Sequence, residues 1–196
     1  MNNNSSRPIL TVFAGPNGSG KSTITSCCKI KGHYVNADEI KRHLKCSDLE
    51  AAKIAESTRE HLLDKKESFT FETVLSTERN YNLMRRAKQA GYTVVCIFIL
   101  TANPDINVRR VAYRVKHKGH GVPEEKIRQR YDRAMKLFPM LFEVCDELYV
   151  YDNSQDNSIG SPSMIIKYQY NDLEKMPNNV WSSEMLCNLC SGNYRA

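Results

Sequence analysis

Eight consecutive residues, Gly15-Pro16-Asn17-Gly18-Ser19-Gly20-Lys21-Ser22, fit the pattern G-x-x-x-x-G-K-[ST] at every position, and Thr23 follows. The chemistry explains the residue types. Phosphate oxygens must come close to main-chain N–H groups, so side chains are removed at the glycines. Those N–H groups, with the N-terminus of a following helix, offer partial positive charge to an anion. Lys21 adds a full charge at the β- and γ-phosphates, and the Ser22 hydroxyl can reach Mg2+. The ligand expected of the run from Gly15 to Thr23 is a nucleoside triphosphate, ATP or GTP, with Mg2+.

Holding a triphosphate is not yet transferring it. A kinase also needs a group to accept the acceptor hydroxyl's proton, and acids to organise metal and substrate. Such groups belong at the C-terminal ends of parallel strands, beside the loop. Asp38 follows a short second strand in Asn36-Ala37-Asp38-Glu39, where it can equally cap a helix. Glu72 ends a third strand in Phe71-Glu72-Thr73, where the alternative is a surface acid, although an ionised residue after such an apolar run calls for a cation partner. Arg110 and Arg114 are spaced i, i+4 and share a helix face. Arg128 and Arg130 lie across a break at Gly119 and Gly121. These four arginines can clamp a triphosphate, and one of them acting on the transferring group is worth roughly 10³ or more in rate. The sequence leaves open which one.

Charge points the same way. The formal net charge is +6, and Arg109 to Arg133 holds nine Lys/Arg against three Asp/Glu, an excess equal to that of the whole chain. A concentrated basic segment suits a polyanion: nucleotide phosphates, a nucleic-acid backbone or an acidic partner. Transporter-type ATPases share the loop but need an LSGGQ-like segment and a strand ending in paired acids; here VVCIFIL ends in Thr101-Ala102-Asn103. No NKxD-type base reader of GTPases occurs. The reading that remains is a small-molecule kinase with a basic lid over about 109–133. A polynucleotide kinase and a non-transferring nucleotide switch stay as alternatives, nucleic acid being the less expected partner.

These side chains need a scaffold. The chain has 196 residues, 41% hydrophobic and 26% charged, enough for one globular domain with a core of its own. Its longest apolar run, Val94 to Leu100, has strand length, so no membrane span is expected. The start reads as a frayed tail over 1–8 rather than a signal peptide. Seven cysteines without regular spacing predict reduced thiols and a cytoplasmic setting, and Cys187-x-x-Cys190 is a lone pair that does not define a zinc site. His120, between glycines, can touch substrate or cap a turn.

Short runs of apolar, aromatic and β-branched residues predict strands at Ile9–Ala14, Tyr34–Ala37, Phe69–Thr73, Tyr92–Leu100 and Glu147–Tyr151. Helices are predicted at about 21–31, from a Ser47/Glu50 capping box to about 66, at 79–90, from Asn103-Pro104, and from Pro123. The helix after Pro104 is expected to bury Val108, Val111, Ala112 and Val115; the next, Ile127, Tyr131, Ala134 and Phe138. Strands alternating with helices predict an α/β sandwich around a parallel sheet whose central strand is 92–100. A loop follows Asp152, then one further strand over 164–170. Trp181, Met185 and Leu186 read as tail packing, and 154–196 as an extension of a domain spanning 9–153.

In order along the chain, the phosphate loop, Asn36 to Glu39, Phe71 to Ser76, Arg110 to Pro123, Ile127 to Tyr131 and Tyr149 to Asn153 resemble the zeta-toxin-like kinase family of P-loop proteins. The resemblance implies a three-layer α/β/α nucleoside-kinase-like fold, with a five-stranded, mainly parallel sheet plus a C-terminal extra strand. It implies an ATP- or GTP-dependent phosphotransferase, whose acceptor in characterised toxins is a UDP-N-acetylated amino sugar phosphorylated on the sugar 3′-hydroxyl. Lys21 and Ser22 would then be the phosphate and Mg2+ contacts, Asp38 the base, Glu72 a substrate-side or metal-side acid, and Arg114 with its basic neighbours the clamp. An antitoxin protein is the partner such a family implies. Lys118 stands where many relatives have glycine, and Ser76 lies near the expected place of a substrate-contacting arginine.

Overall fold

A computed structural model of the chain describes residues 7–117, 119, 121–155 and 162–194. Lys118 and His120, the stretch 156–161 and the tail 1–6 lie outside the described residues. Among the described residues, seven strands form one sheet in the order β2-β3-β1-β4-β5-β6-β7, where β6 is Ser163–Gln169 and β7 is Asp172–Lys175. β1 (Ile9–Ala14), β2 (His33–Val35), β3 (Phe69–Thr73), β4 (Thr93–Leu100) and β5 (Glu147–Asp152) are parallel. Their C-terminal ends therefore share one edge. In register there, Glu72 faces Phe13, and Asp152 faces Leu100. The chain runs from β1 outward to β2 and β3 on one side, then returns to β4 and β5 on the other. That is the crevice where open α/β sheets bind ligands.

β4 is the central strand, as its continuous apolar run predicts, and Val94, Cys96, Phe98 and Leu100 are fully buried. They share one core with Leu10, Val12, Phe69, Phe71, Leu148 and Val150. α3 (Asp48–Lys65) starts at the expected capping box, Ser47 and Glu50 satisfying each other's orphan groups. α4 (Glu78–Gln89) closes near Gly91, and α5 (Pro104–Lys116) starts at Asn103 with proline in its first turn. α6 (Glu124–Leu137) buries Ile127, Tyr131 and Ala134, with Phe138 just beyond, as read.

Four readings need correction. α1 (Lys21–Cys27) stops about one turn early, because Cys28 is extended and the chain must turn back through Gly32 to feed β2. A helix unseen in the sequence, α2 (Ala37–Leu44), follows directly, and its cap is Asn36 rather than Asp38: the Asn36 side chain accepts N–H bonds from Asp38 and Glu39 at 2.8 and 3.4 Å. The proposed stripe of α5 is buried only at Val111, with Asn107 beside it, while Val115 is 47% exposed. The cavity wall that this helix provides is a different face, with Ile106, Arg109, Arg110, Tyr113 and Arg114, and of the expected stripe only Val111 reaches it. Lastly, the C-terminal part adds two antiparallel strands, β6 (Ser163–Gln169) and β7 (Asp172–Lys175), after a 3-10 turn at Phe138–Met140 and the short α7 (Leu141–Val144). It ends in α8 (Ser183–Ser191). Trp181, Leu186 and Leu189 are fully buried and belong to the common core cluster.

Candidate active site

At its glycines the loop from Gly15 to Gly20 passes too close to its neighbours for a side chain. At Gly15 (φ 140°) a Cβ would stand 2.0 Å from the Ile99 carbonyl oxygen, and at Gly18 (φ 80°) 2.6 Å from that of Asn107. Two asparagines hold the loop in shape. Asn107 Nδ2 donates to the Asn17 carbonyl at 2.7 Å while its Oδ1 accepts from Thr101. Asn153 Nδ2 donates to the Ser19 carbonyl at 2.8 Å. The Ser19 hydroxyl is buried without a hydrogen-bond partner, an orphan polar group inside the cradle. Neither asparagine role was read from the sequence. Asn107 did leave a signal, since it falls on the buried stripe of α5, where a polar residue needs a partner.

Lys21 Nζ donates to the Gly15 and Pro16 carbonyls at 2.7 and 2.8 Å. Burial lowers its pKa from 10.5 to about 8; the Glu72 carboxylate opposes that shift and the Arg114 guanidinium adds to it. Glu72 closes the other side of the loop. One carboxylate oxygen accepts from the Ser22 hydroxyl at 2.9 Å and the other from the Tyr34 hydroxyl at 2.7 Å, which in turn accepts from Asn36 Nδ2 at 2.9 Å. Burial, more than the nearby carboxylate, pushes the Tyr34 phenol up, so it stays a donor that fixes Glu72. An oxygen pair of this kind, a hydroxyl and a carboxylate, suits Mg2+, which takes few protein ligands and completes its shell with phosphate and water. Among the described residues there is no group of three or more His, Cys, Asp or Glu able to hold a metal by itself.

A cavity of about 1910 Å3 opens from this loop. Pockets for a single small ligand run to roughly 1,000 Å3, so there is room for a nucleotide and a second molecule. Asp38 lines it from the first turn of α2, with Lys41, Arg42 and Lys45 beyond, and Arg109, Arg110 and Arg114 line it from α5. Arg59 of α3 lines it as well, 5.0 Å over the Phe71 ring, with its buried Nε unpartnered. The acids flanking Arg59 are engaged elsewhere, Glu56 with Arg79 at 3.1 Å and Glu60 with Arg86 at 2.5 Å.

The four lid arginines separate. Arg114 borders the cavity close enough to act on Lys21. Arg110 donates to the Asn153 and Gln155 carbonyls, each at 2.7 Å, and so steadies the segment that holds the loop. Arg130 reaches the Asn17 side chain at 3.3 Å. Arg128 does not border the cavity: Asp105 at 2.6 Å and Glu124 at 2.8 Å take its guanidinium, because Glu124 sits one turn earlier on its own helix. Of the four arginines expected in the clamp, Arg110 and Arg114 border the cavity, and Arg128 is paired with acids.

A phosphate loop at the C-terminal edge of a mostly parallel sheet, with acids and a basic helix around one cavity, defines a P-loop kinase-like α/β protein. The model of the family described as Zeta toxin matches residues 1–160, and the chain belongs to that family. An uncharacterized protein of Haemophilus influenzae is 29% identical over 125 residues, covering 61% of this chain and 89% of that protein. Among solved structures, the AvrRxo1-ORF1:-ORF2 complex with ATP superposes with a TM-score of 0.70 at 14% identity, over 98% of this chain and 66% of that one. The PezAT chromosomal toxin-antitoxin system of Streptococcus pneumoniae gives 0.56 at 17% identity, over 83% and 72%. At these identities the likeness establishes the fold. This chain spans about two thirds of the AvrRxo1 chain that it matches.

Proposed function

We propose that this protein is an ATP-dependent kinase that transfers the γ-phosphate to a hydroxyl of a small, anionic molecule. One observation carries the reading: the phosphate loop, Asp38 and Glu72 border a single cavity with space for two ligands. The loop amides and Lys21 hold the β- and γ-phosphates. Ser22 and Glu72 would hold Mg2+, which neutralises charge on the phosphates when bound. Asp38, exposed in the first turn of α2, accepts the proton of the acceptor hydroxyl. The hydroxyl oxygen bonds to the γ-phosphorus as the bond to the β-phosphate bridging oxygen breaks, and ADP leaves. Arg114 neutralises charge on the phosphoryl group in transit.

Arg59, Arg42 and Lys45 add positive charge to the cavity wall, while Lys41 is taken by Asp48 at 2.7 Å; the other three cations suit an acceptor with its own phosphates. A UDP-N-acetyl amino sugar, the acceptor implied by the family resemblance, has that chemistry. An antitoxin-like protein partner is proposed because one structural neighbour, PezAT, is described as a toxin-antitoxin system and another pairs AvrRxo1-ORF1 with AvrRxo1-ORF2. The test is transfer to UDP-N-acetylglucosamine by wild type and by Asp38→Ala. Loss of transfer with ATP binding kept supports the reading, and undiminished transfer removes Asp38 from it.

A further inference from the structure

The sequence leaves Cys187-x-x-Cys190 without a role, and the structure gives it neighbours. Both cysteines sit on α8, which buries Leu186 and Leu189 in the core and so turns Cys187 outward. Lys175, the last residue of strand β7, donates from Nζ to Cys187 Sγ at 3.2 Å. Cys190 lies one turn further on, half-buried, and burial pushes its thiol up despite the same lysine nearby. A thiol becomes a nucleophile as the thiolate, and a lysine at hydrogen-bonding distance is a recognised activating neighbour. The two cysteines therefore differ in access: one is open to solvent beside a cation, the other is shielded behind it.

We propose that Cys187 and Cys190 form a hydroperoxide-sensitive dithiol in which Lys175 activates Cys187 and Cys190 closes the disulfide. The Cys187 thiolate attacks a hydrogen peroxide oxygen, the O–O bond breaks and hydroxide leaves; Cys187, oxidised by two electrons, becomes the sulfenic acid. The Cys190 sulfur then attacks Cys187 Sγ, the S–O bond breaks, and the hydroxyl leaves as water with the Cys190 proton. Two thiols and one peroxide give one disulfide and two waters.

The spacing allows closure. Cβ atoms three apart on a helix are about 5–6 Å from each other, against about 3.5–4.5 Å in a disulfide. The missing ångström or so falls in the last turn of α8, just before Gly192 ends the helix at φ 80°. A bond closed with that much adjustment is strained, hence readily reduced, as reversible disulfides are.

The test uses the folded full chain and hydrogen peroxide at near-stoichiometric amounts, followed by peptide mass mapping. Cys27 and Cys28, also exposed, serve as internal references. The expected results are a Cys187–Cys190 disulfide that dithiothreitol reverses, a dimedone adduct on Cys187 in Cys190→Ser, and Cys187 oxidation about tenfold slower in Lys175→Gln. The proposal is overturned if Cys187 reacts no faster than Cys27 and Cys28, if Lys175→Gln leaves its rate unchanged, or if oxidation proceeds to sulfinic acid without a disulfide.

Discussion

Lys21 is the residue whose protonation most directly sets what the loop can hold. In the nucleotide-free protein, burial brings its pKa to about 8. A triphosphate favours the charged lysine, so above that pH binding must take up a proton. ATP affinity is expected to fall as pH rises through about 8, approaching tenfold per pH unit. Calorimetry in two buffers of different ionisation heat would detect the proton uptake. For folding the sign is opposite. Below about 8 the lysine is charged in both states and its burial penalty is present in full; between about 8 and 10.5 the folded chain binds fewer protons than the unfolded one, so stability without nucleotide rises with pH. The arginines give a contrast at the same scale. Arg114→Ala is expected to cut the turnover number by about 10³, whereas Arg128→Ala, which removes only the contacts to Asp105 and Glu124, leaves it unchanged. Steady-state kinetics of the two variants side by side checks both.

At the scale of elements, the phosphate loop works because its neighbours are fixed first. Asn107 and Asn153 come from α5 and the end of β5, and each donates to a loop carbonyl. Gly18→Ala puts a Cβ 2.6 Å from the Asn107 carbonyl oxygen, where backbone cannot move aside cheaply. At φ 80° it also carries the left-handed cost of about 1–2 kcal/mol. The expected outcome is at least a tenfold loss of ATP affinity with unchanged far-UV circular dichroism, measured by titration. These elements also show what was legible beforehand. The loop, the capping box of α3 and the apolar face of α6 are written in local residue types, so reading them needs no tertiary knowledge. α2 escaped because its start, Asn36-Ala37-Asp38-Glu39, follows a three-residue strand with no spacer. The α5 stripe misled for a different reason. Valines at helical spacing mark a buried face only if something packs on it, and here only Val111 is covered while Val115 is exposed.

Over the whole molecule, the core does not stop where the family match does. Trp181 is fully exposed to neither solvent nor cavity but sealed at 0% accessibility, and its ring lies 5.1 Å from that of Tyr194, whose hydroxyl donates to the Ala102 carbonyl at 2.9 Å. Trp181→Ala is expected to cost about 3–5 kcal/mol, read as a lower denaturant midpoint at constant slope. That dependence was the least legible part of the fold. β7 is exposed along its length and has no alternating pattern, and α8 is short, so neither carries a local signature strong enough to read. The grouping of the candidate site could be expected from the parallel-sheet rule, but its distances could not. Asp38, Glu72 and Arg114 come from three separate elements, and only the parallel sheet brings them to one edge.

The most direct measurement of the central claim is incubation with γ-labelled ATP, Mg2+ and a pool of small metabolites, with products separated by mass. The account predicts one labelled, already anionic molecule, absent when Lys21→Ala or Asp38→Ala replaces the wild type. Label appearing only as inorganic phosphate, or staying on ATP that remains bound, would contradict it.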